Sequence, residues 1–183
     1  MSPRPIPKSL RTPARGGFVA FLLVFGLLGC AFAAGETGPK QRAPDFTLKD
    51  VQGNTVRLAD FSGQALIVSF VVTWDKPSLR QIGILSDIRK ERSEKELAIL
   101  AVAIEQGGEP TTKSYVEQKH PGFPFLVADY ATISAFGGLT AVPTTFVIDK
   151  NHNIVQKYVG ITSKDVLDSD LNGQSVVSHA EAK

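Results

Sequence analysis

Cysteine is almost missing from this chain. Of 183 residues only Cys30 carries a thiol, so no disulfide can form within the molecule and its stability must come from packing. Histidine is nearly as sparse: His120, His152 and His179 stand far apart, none with a partner at metal-ligand spacing, which argues against a zinc site. No G-x-S-x-G or other nucleophile signature occurs. The pairs Gly107-Gly108 and Gly137-Gly138 read as loop punctuation, not phosphate cradles. Neither a metal nor a cofactor is expected.

One-sided charge is missing as well, once position is considered. The formal net charge is +2, but residues 1–33 hold Arg4, Lys8, Arg11 and Arg15 and no acid. The rest of the chain keeps 16 basic against 18 acidic residues, about −2, and has no electrostatic footprint for nucleic acid. Mixed charge at Arg89-Lys90-Glu91-Arg92 and Glu94-Lys95-Glu96 reads as the wet end of a helix.

What the first 33 residues do have is the order of an export signal: a basic stretch ending at Arg15, an apolar run from Phe18 to Leu28, then small residues from Gly29 to Ala34. Leu27-Leu28-Gly29-Cys30 resembles a bacterial lipobox, in which Cys30 becomes a lipid-modified amino terminus. Ala31-Phe32-Ala33 resembles an ordinary A-x-A cleavage site, which would discard Cys30. With no charge between Arg15 and Glu36, retention as an uncleaved membrane anchor is the third reading, since a span needs about 20 apolar residues. All three place the domain outside the cytoplasm, on the periplasmic side of a bacterial envelope, joined to the membrane by a lipid or by its signal or released as a soluble protein.

Residues 34–42, polar with Gly and Pro, read as a tether, and 43–174 as one domain without repeats. Residues 175–183 read as a frayed tail. Asp45–Leu48 and Thr55–Leu58 alternate polar and apolar residues around Gln52-Gly53-Asn54, a hairpin signature. Ala65–Val72 and Leu97–Ile104 are nearly continuous apolar runs, as in strands covered on both faces. Pro77–Glu91 places Leu79, Ile82, Leu85 and Ile88 three apart on a helix. Thr111–His120 predicts a second helix, stopped by Pro121, and Phe123–Ala128 a short strand. Thr144–Ile148 and Ile154–Val159 flank the polar turn Asp149–Asn153. A last helix is expected near Thr162, where Thr162 and Asp165 have capping-box spacing. This order predicts an α/β domain with a mixed sheet and helices on both faces.

Three separated stretches carry a family likeness. Ala43-Pro44-Asp45-Phe46-Thr47-Leu48, followed by Gly53, Val56, Leu58 and Phe61, resembles the opening of the TlpA and ResA-like thioredoxins and their peroxiredoxin relatives. Val68–Ser78, VSFVVTWDKPS, is similar to the strand and turn that end in W-C-x-P-C in that family. Ala141–Asp149, AVPTTFVID, is similar to its cis-proline segment and the strand after it. The likeness spans about Ala43 to Leu171. It implies a thioredoxin fold with an N-terminal β-hairpin, and a cis Val142–Pro143 bond that leaves the preceding backbone open to an extended peptide.

The departure is equally clear. Asp75 stands where the resemblance puts the nucleophilic cysteine, and Ser78 where it puts the resolving one. A peroxidatic cysteine, due near Thr73, is also missing. Thiol exchange needs a thiolate to attack and a second thiol to release the mixed disulfide, so catalytic residues of that kind are absent. Asp75 is open to three readings: a helix N-cap at the positive end of the helix dipole, part of a binding patch with Trp74, Lys76 and Ser78, or an acid–base group, although no catalytic companion is evident. Pro77 suits the first helical turn, where its missing N–H costs nothing. Trp74 is either a recognition platform or a cover for the core's edge. Together with Val142 and Pro143 these residues form the expected binding face for a protein or peptide. The expected role is that of an accessory or binding module in envelope redox or protein-maturation pathways. The alternatives are an oxidoreductase-family protein that acts only with a cysteine-bearing partner, and a non-thiol enzyme using Asp75.

Overall fold

A computed structural model describes residues 41–104 and 109–180. The export signal, Cys30 and most of the tether lie outside the described residues. Among those described, no helix is long and apolar enough to cross a membrane.

A two-stranded hairpin comes first, β1 (Thr47–Lys49) antiparallel to β2 (Thr55–Arg57), with Leu48 opposite Val56. Its turn is organised by Asp50, whose Oδ1 accepts the N–H groups of Gln52 and Asn54 at 2.9 and 2.8 Å, while Gly53 takes φ 89°. A short 3₁₀ turn, Leu58–Phe61, leads into the main sheet.

That sheet contains β3 (Ala65–Val71), β4 (Leu97–Ala103), β5 (Phe125–Val127), β6 (Thr144–Ile148) and β7 (Ile154–Val159), in the order β5-β4-β3-β6-β7. β3, β4 and β5 run parallel; β6 is antiparallel to β3, and β7 to β6. Every residue of β3 and β4 is buried, which is why both read as unbroken apolar runs. Their side chains alternate between two cores. Ile67 and Val71 face α1 (Lys76–Glu91) and α4 (Lys164–Ala180), meeting Ile82, Leu85, Ile88 and Leu167. Leu66, Val68 and Phe70 face the hairpin and the helix after β5, meeting Leu48, Phe136 and Phe146. Phe136 packs edge-on against Phe70 and Phe146, with ring centroids 5.2 and 4.9 Å apart. α2 (Glu109–Lys119) adds Tyr115 and Val116 to the first core.

The β6–β7 turn repeats the hairpin turn atom for atom. Asp149 Oδ1 accepts from Asn151 and Asn153 at 2.9 and 2.8 Å, and His152 occupies the left-handed position, φ 62°, that Gly53 holds in the first turn. The backbone before the hairpin is tied to this turn: Ala43 N–H donates to the His152 carbonyl, and Ile154 N–H donates to Gln41.

Four expectations change. α3 (Tyr130–Ala135), capped by Asp129 accepting from Thr132 N–H at 2.7 Å, was not anticipated; its six residues are too few to display a helical period. The second helix begins at Glu109, two residues before Thr111. The last helix begins at Lys164, and no capping box forms at Thr162, because the Thr162 N–H points into the core and bonds Gln81. α4 then continues to Ala180, into the stretch expected to fray.

Candidate functional site

The residues expected to make a binding face gather where the parallel strands end. β3 stops at Val71; Val72 is still buried, and the chain then turns outward through Thr73 and Trp74 before α1 begins. Trp74 is 72% exposed, so it does not serve as a cover for the core. Asp75 is extended (φ −96°, ψ 148°) and is the N-cap of α1: its Oδ1 accepts the Ser78 N–H at 2.7 Å, and its carbonyl accepts the Leu79 N–H at 3.0 Å. This bond satisfies one of the donors that a helix start leaves free and sets a carboxylate at the positive end of the dipole. Lys76 and Pro77 are exposed in the first turn. Ser78 turns inward and is fully buried.

The second half of the face arrives by strand pairing. Phe70 lies opposite Thr144, and the antiparallel direction carries the residues before Thr144 toward the end of the sheet from which Trp74 emerges. Val142–Pro143 is cis, with Pro143 buried and Val142 half-buried. Thr144 Oγ donates to the Ala141 carbonyl at 2.7 Å, tightening the loop, and the Ser69 and Thr145 hydroxyls share a buried 2.8 Å bond that ties β3 to β6 below it. The sheet therefore brings Trp74–Ser78 and Val142–Pro143 to one end; Cys30 lies outside the described residues.

Three features were missed by sequence reasoning. Gln81 is fully buried on the core side of α1 although its neighbours' periodicity pointed to Leu79, which is only half-buried. Ile161, at the end of β7, is 45% exposed beside the segment that Pro143 anchors. An open groove of about 490 Å³ runs from Thr73 along α2, lined by Pro110, Thr111, Ser114, Tyr115 and Gln118, without a charged side chain. No local pattern announces any of these, since each depends on which distant segment lies opposite.

Chemically, these residues offer an exposed indole, a carboxylate already engaged as a cap, an exposed lysine at Lys76 and a cis peptide bond at Val142–Pro143. Among the described residues no group of three or more His, Cys, Asp or Glu side chains comes together to hold a metal.

Residues 39–157 match the AhpC/TSA family. The chain is 30% identical over 143 residues to the thiol-disulfide oxidoreductase ResA of Geobacillus kaustophilus, covering 77% of this chain and 78% of that one. It is 29% identical over 134 residues to the thioredoxin-like protein YneN of Bacillus subtilis, covering 72% and 78%. A crystal structure of a thioredoxin-family thiol:disulfide interchange protein from Chlorobium tepidum superimposes with a TM-score of 0.68 at 29% identity, over 75% of this chain and 97% of that one. Three motifs in order, the five-stranded sheet and these likenesses agree: the chain belongs to the AhpC/TSA family, as a thioredoxin-fold protein of the TlpA/ResA-like kind.

Proposed function

We propose that this is an exported, redox-inactive thioredoxin-fold protein that binds a protein or peptide partner through a face presented by Trp74, Asp75, Lys76 and Val142 and backed by Pro143, as an accessory module of envelope redox or protein-maturation pathways. Ser78, expected on that face, is buried and takes no direct part. The observation that carries this reading is the fate of the two positions where relatives hold sulfur. Asp75 spends its carboxylate on the Ser78 N–H, and Ser78 is sealed in the core. Neither can attack a disulfide, and no thiol follows Cys30 in the sequence. The shape of the face remains: an exposed aromatic beside a strand end at Val142, the combination that receives extended peptides by main-chain pairing with side-chain anchoring.

The relatives named as thiol-disulfide oxidoreductases support one second reading, in which the protein acts in the same chemistry with a partner that supplies both cysteines. Partner capture separates the two. Protein purified from its native envelope should retain a partner that Trp74→Ala and Val142→Asp both release; retention by both variants overturns the binding-face reading. Disulfide reduction that appears only when the captured partner is added, and that ends when the partner's thiols are alkylated, moves the assignment to the second reading.

The basic, apolar, small-residue order of residues 1–33 supports location outside the cytoplasm, with Cys30 as the lipid attachment point. Intact mass of the exported form tests this: a chain beginning at Cys30 with acyl mass is expected, and an unmodified chain beginning at Ala34 overturns lipidation.

A further inference from the structure

A fully buried carboxamide is costly unless it is hydrogen-bonded, and Gln81 lies one helical turn beyond Ser78 with no exposed surface. Its Oε1 accepts the backbone N–H of Thr162 at 2.8 Å, joining α1 to the β7–α4 connection across 81 residues. At the other end of that connection, Gly160 N–H donates to the Pro143 carbonyl at 2.8 Å. Gly160 holds φ 95°, a conformation open to glycine and strained for other residues. The connection Gly160–Thr162 is thus fastened at its first residue to the Val142–Pro143 segment and at its last to α1. Ile161, between the two fastenings, is held with its apolar side chain 45% exposed.

We infer that Gln81 is the positioning residue of the binding face: through Thr162, and through the short connection to Gly160, it fixes the Trp74–Ser78 turn relative to the Val142–Pro143 segment. This rests on the reading of that face as the binding surface. Gln81 touches no partner itself. Its side chain is long enough to leave the helix and carries an acceptor at its end. Its Nε2 is buried with no hydrogen-bond partner, so the site tolerates one unsatisfied donor in order to hold the Thr162 N–H; a leucine would remove that donor and leave the Thr162 N–H without its acceptor. The Trp74 side of the face leads into α1 and the proline side into β6, and this fastening adds a directed hydrogen bond to the β3–β6 ladder and to the apolar core that Ile82, Leu85, Val147 and Leu167 share.

The prediction is checked on the free exported protein, by residue-resolved amide hydrogen exchange in wild type, Gln81→Leu, Gln81→Glu and Asp168→Asn. Gln81→Leu should speed exchange at both Thr162 and Gly160 by about tenfold or more while Leu100 and Val102 in β4 stay near wild type. Gln81→Glu, measured at acidic pH where a buried carboxyl keeps its proton and its carbonyl acceptor, should restore both amides. Asp168→Asn weakens a different contact between α1 and α4 and should leave the Thr162 and Gly160 rates unchanged relative to β4. Acceleration of Thr162 alone, or equal acceleration of every amide, would overturn the positioning role. If Gln81→Leu does not fold, Gln81→Met provides the same comparison with an unbranched chain. No partner enters the measurement, so a failure of the fastening shows in the exchange rates, while a failure of the binding-face reading shows only in partner capture.

Discussion

The Asp75 carboxylate and the Ser78 backbone N–H are joined by a 2.7 Å hydrogen bond that closes the first turn of α1. The same geometry recurs at α3, where Asp129 accepts from Thr132 at the same distance. These are the two positions at which the likeness to the TlpA and ResA-like pattern places cysteines; in this chain one is a cap and the other the residue it caps. A helix start has a use for an acceptor whether or not the turn performs chemistry.

Removing that acceptor should have a measurable cost. Asp75→Ala is expected to lower stability by about 0.5–2 kcal/mol, and Asp75→Asn by less, because Asn caps nearly as well and forfeits only the charge. Denaturant unfolding of the three proteins side by side checks this, and an unchanged midpoint for Asp75→Ala would contradict the cap.

Thiol chemistry should be absent. The purified protein, from residue 31 onward, is expected to show neither disulfide reductase nor peroxidase turnover above a heat-denatured control when no thiol protein is added. Clear turnover would mean that a group other than cysteine does the work.

Trp74 provides a test of function against stability. With 72% of its surface exposed, Trp74→Ala should change stability by no more than about 0.5 kcal/mol. Partner affinity should fall about tenfold or more if the indole is an anchor. A large loss of stability with unaltered binding would assign the residue to the core instead.

Acid sensitivity should localise to the α1–α4 contact. Burial pushes the Asp168 carboxyl up, but hydrogen bonds from Lys164 and Arg92 outweigh it and hold the group below the usual carboxylate range. A carboxylate whose folded pKa is depressed stabilises the fold above its unfolded value, about 3.9, and that contribution disappears as pH falls through the folded one. Thermal unfolding of wild type should therefore lose stability steeply below about pH 4, and Asp168→Asn should flatten that part of the curve. Asp129, lowered by its hydrogen bonds from Thr132, adds to the same slope and remains in the variant.

Much of this was legible in the sequence. β3 and β4 could be read directly, because strands covered on both faces leave unbroken apolar runs. Asp75 could be read as a cap because capping is local: an acceptor, a proline in the first turn and three residues of spacing. Thr162 misled for the opposite reason. Its spacing to Asp165 imitates a capping box, but its N–H is claimed by Gln81, and nothing within a window of ten residues records an acceptor 81 positions away. Gln81 was invisible on the same ground, since a polar residue in a helix reads as solvent-facing until something is placed against it. α3 is shorter than two helical turns and shows no period, so only the Asp129-to-Thr132 spacing hinted at it.

The pairing of β3 with β6 also governs how the chain can fold. One edge of β3 is taken by β4, which follows after a single helix, but the other waits for β6: Ser69 meets Thr145, 76 residues later. Until then this fully buried strand presents an open, apolar edge to its surroundings. Contacts this distant in sequence slow folding, because loop closure must precede any gain from pairing, and an unpaired apolar edge invites association with other chains. Any chain of this topology that emerges amino terminus first, from a ribosome or across a membrane, carries that edge from residue 71 until residue 148 has emerged, which makes that interval its period of greatest exposure to aggregation.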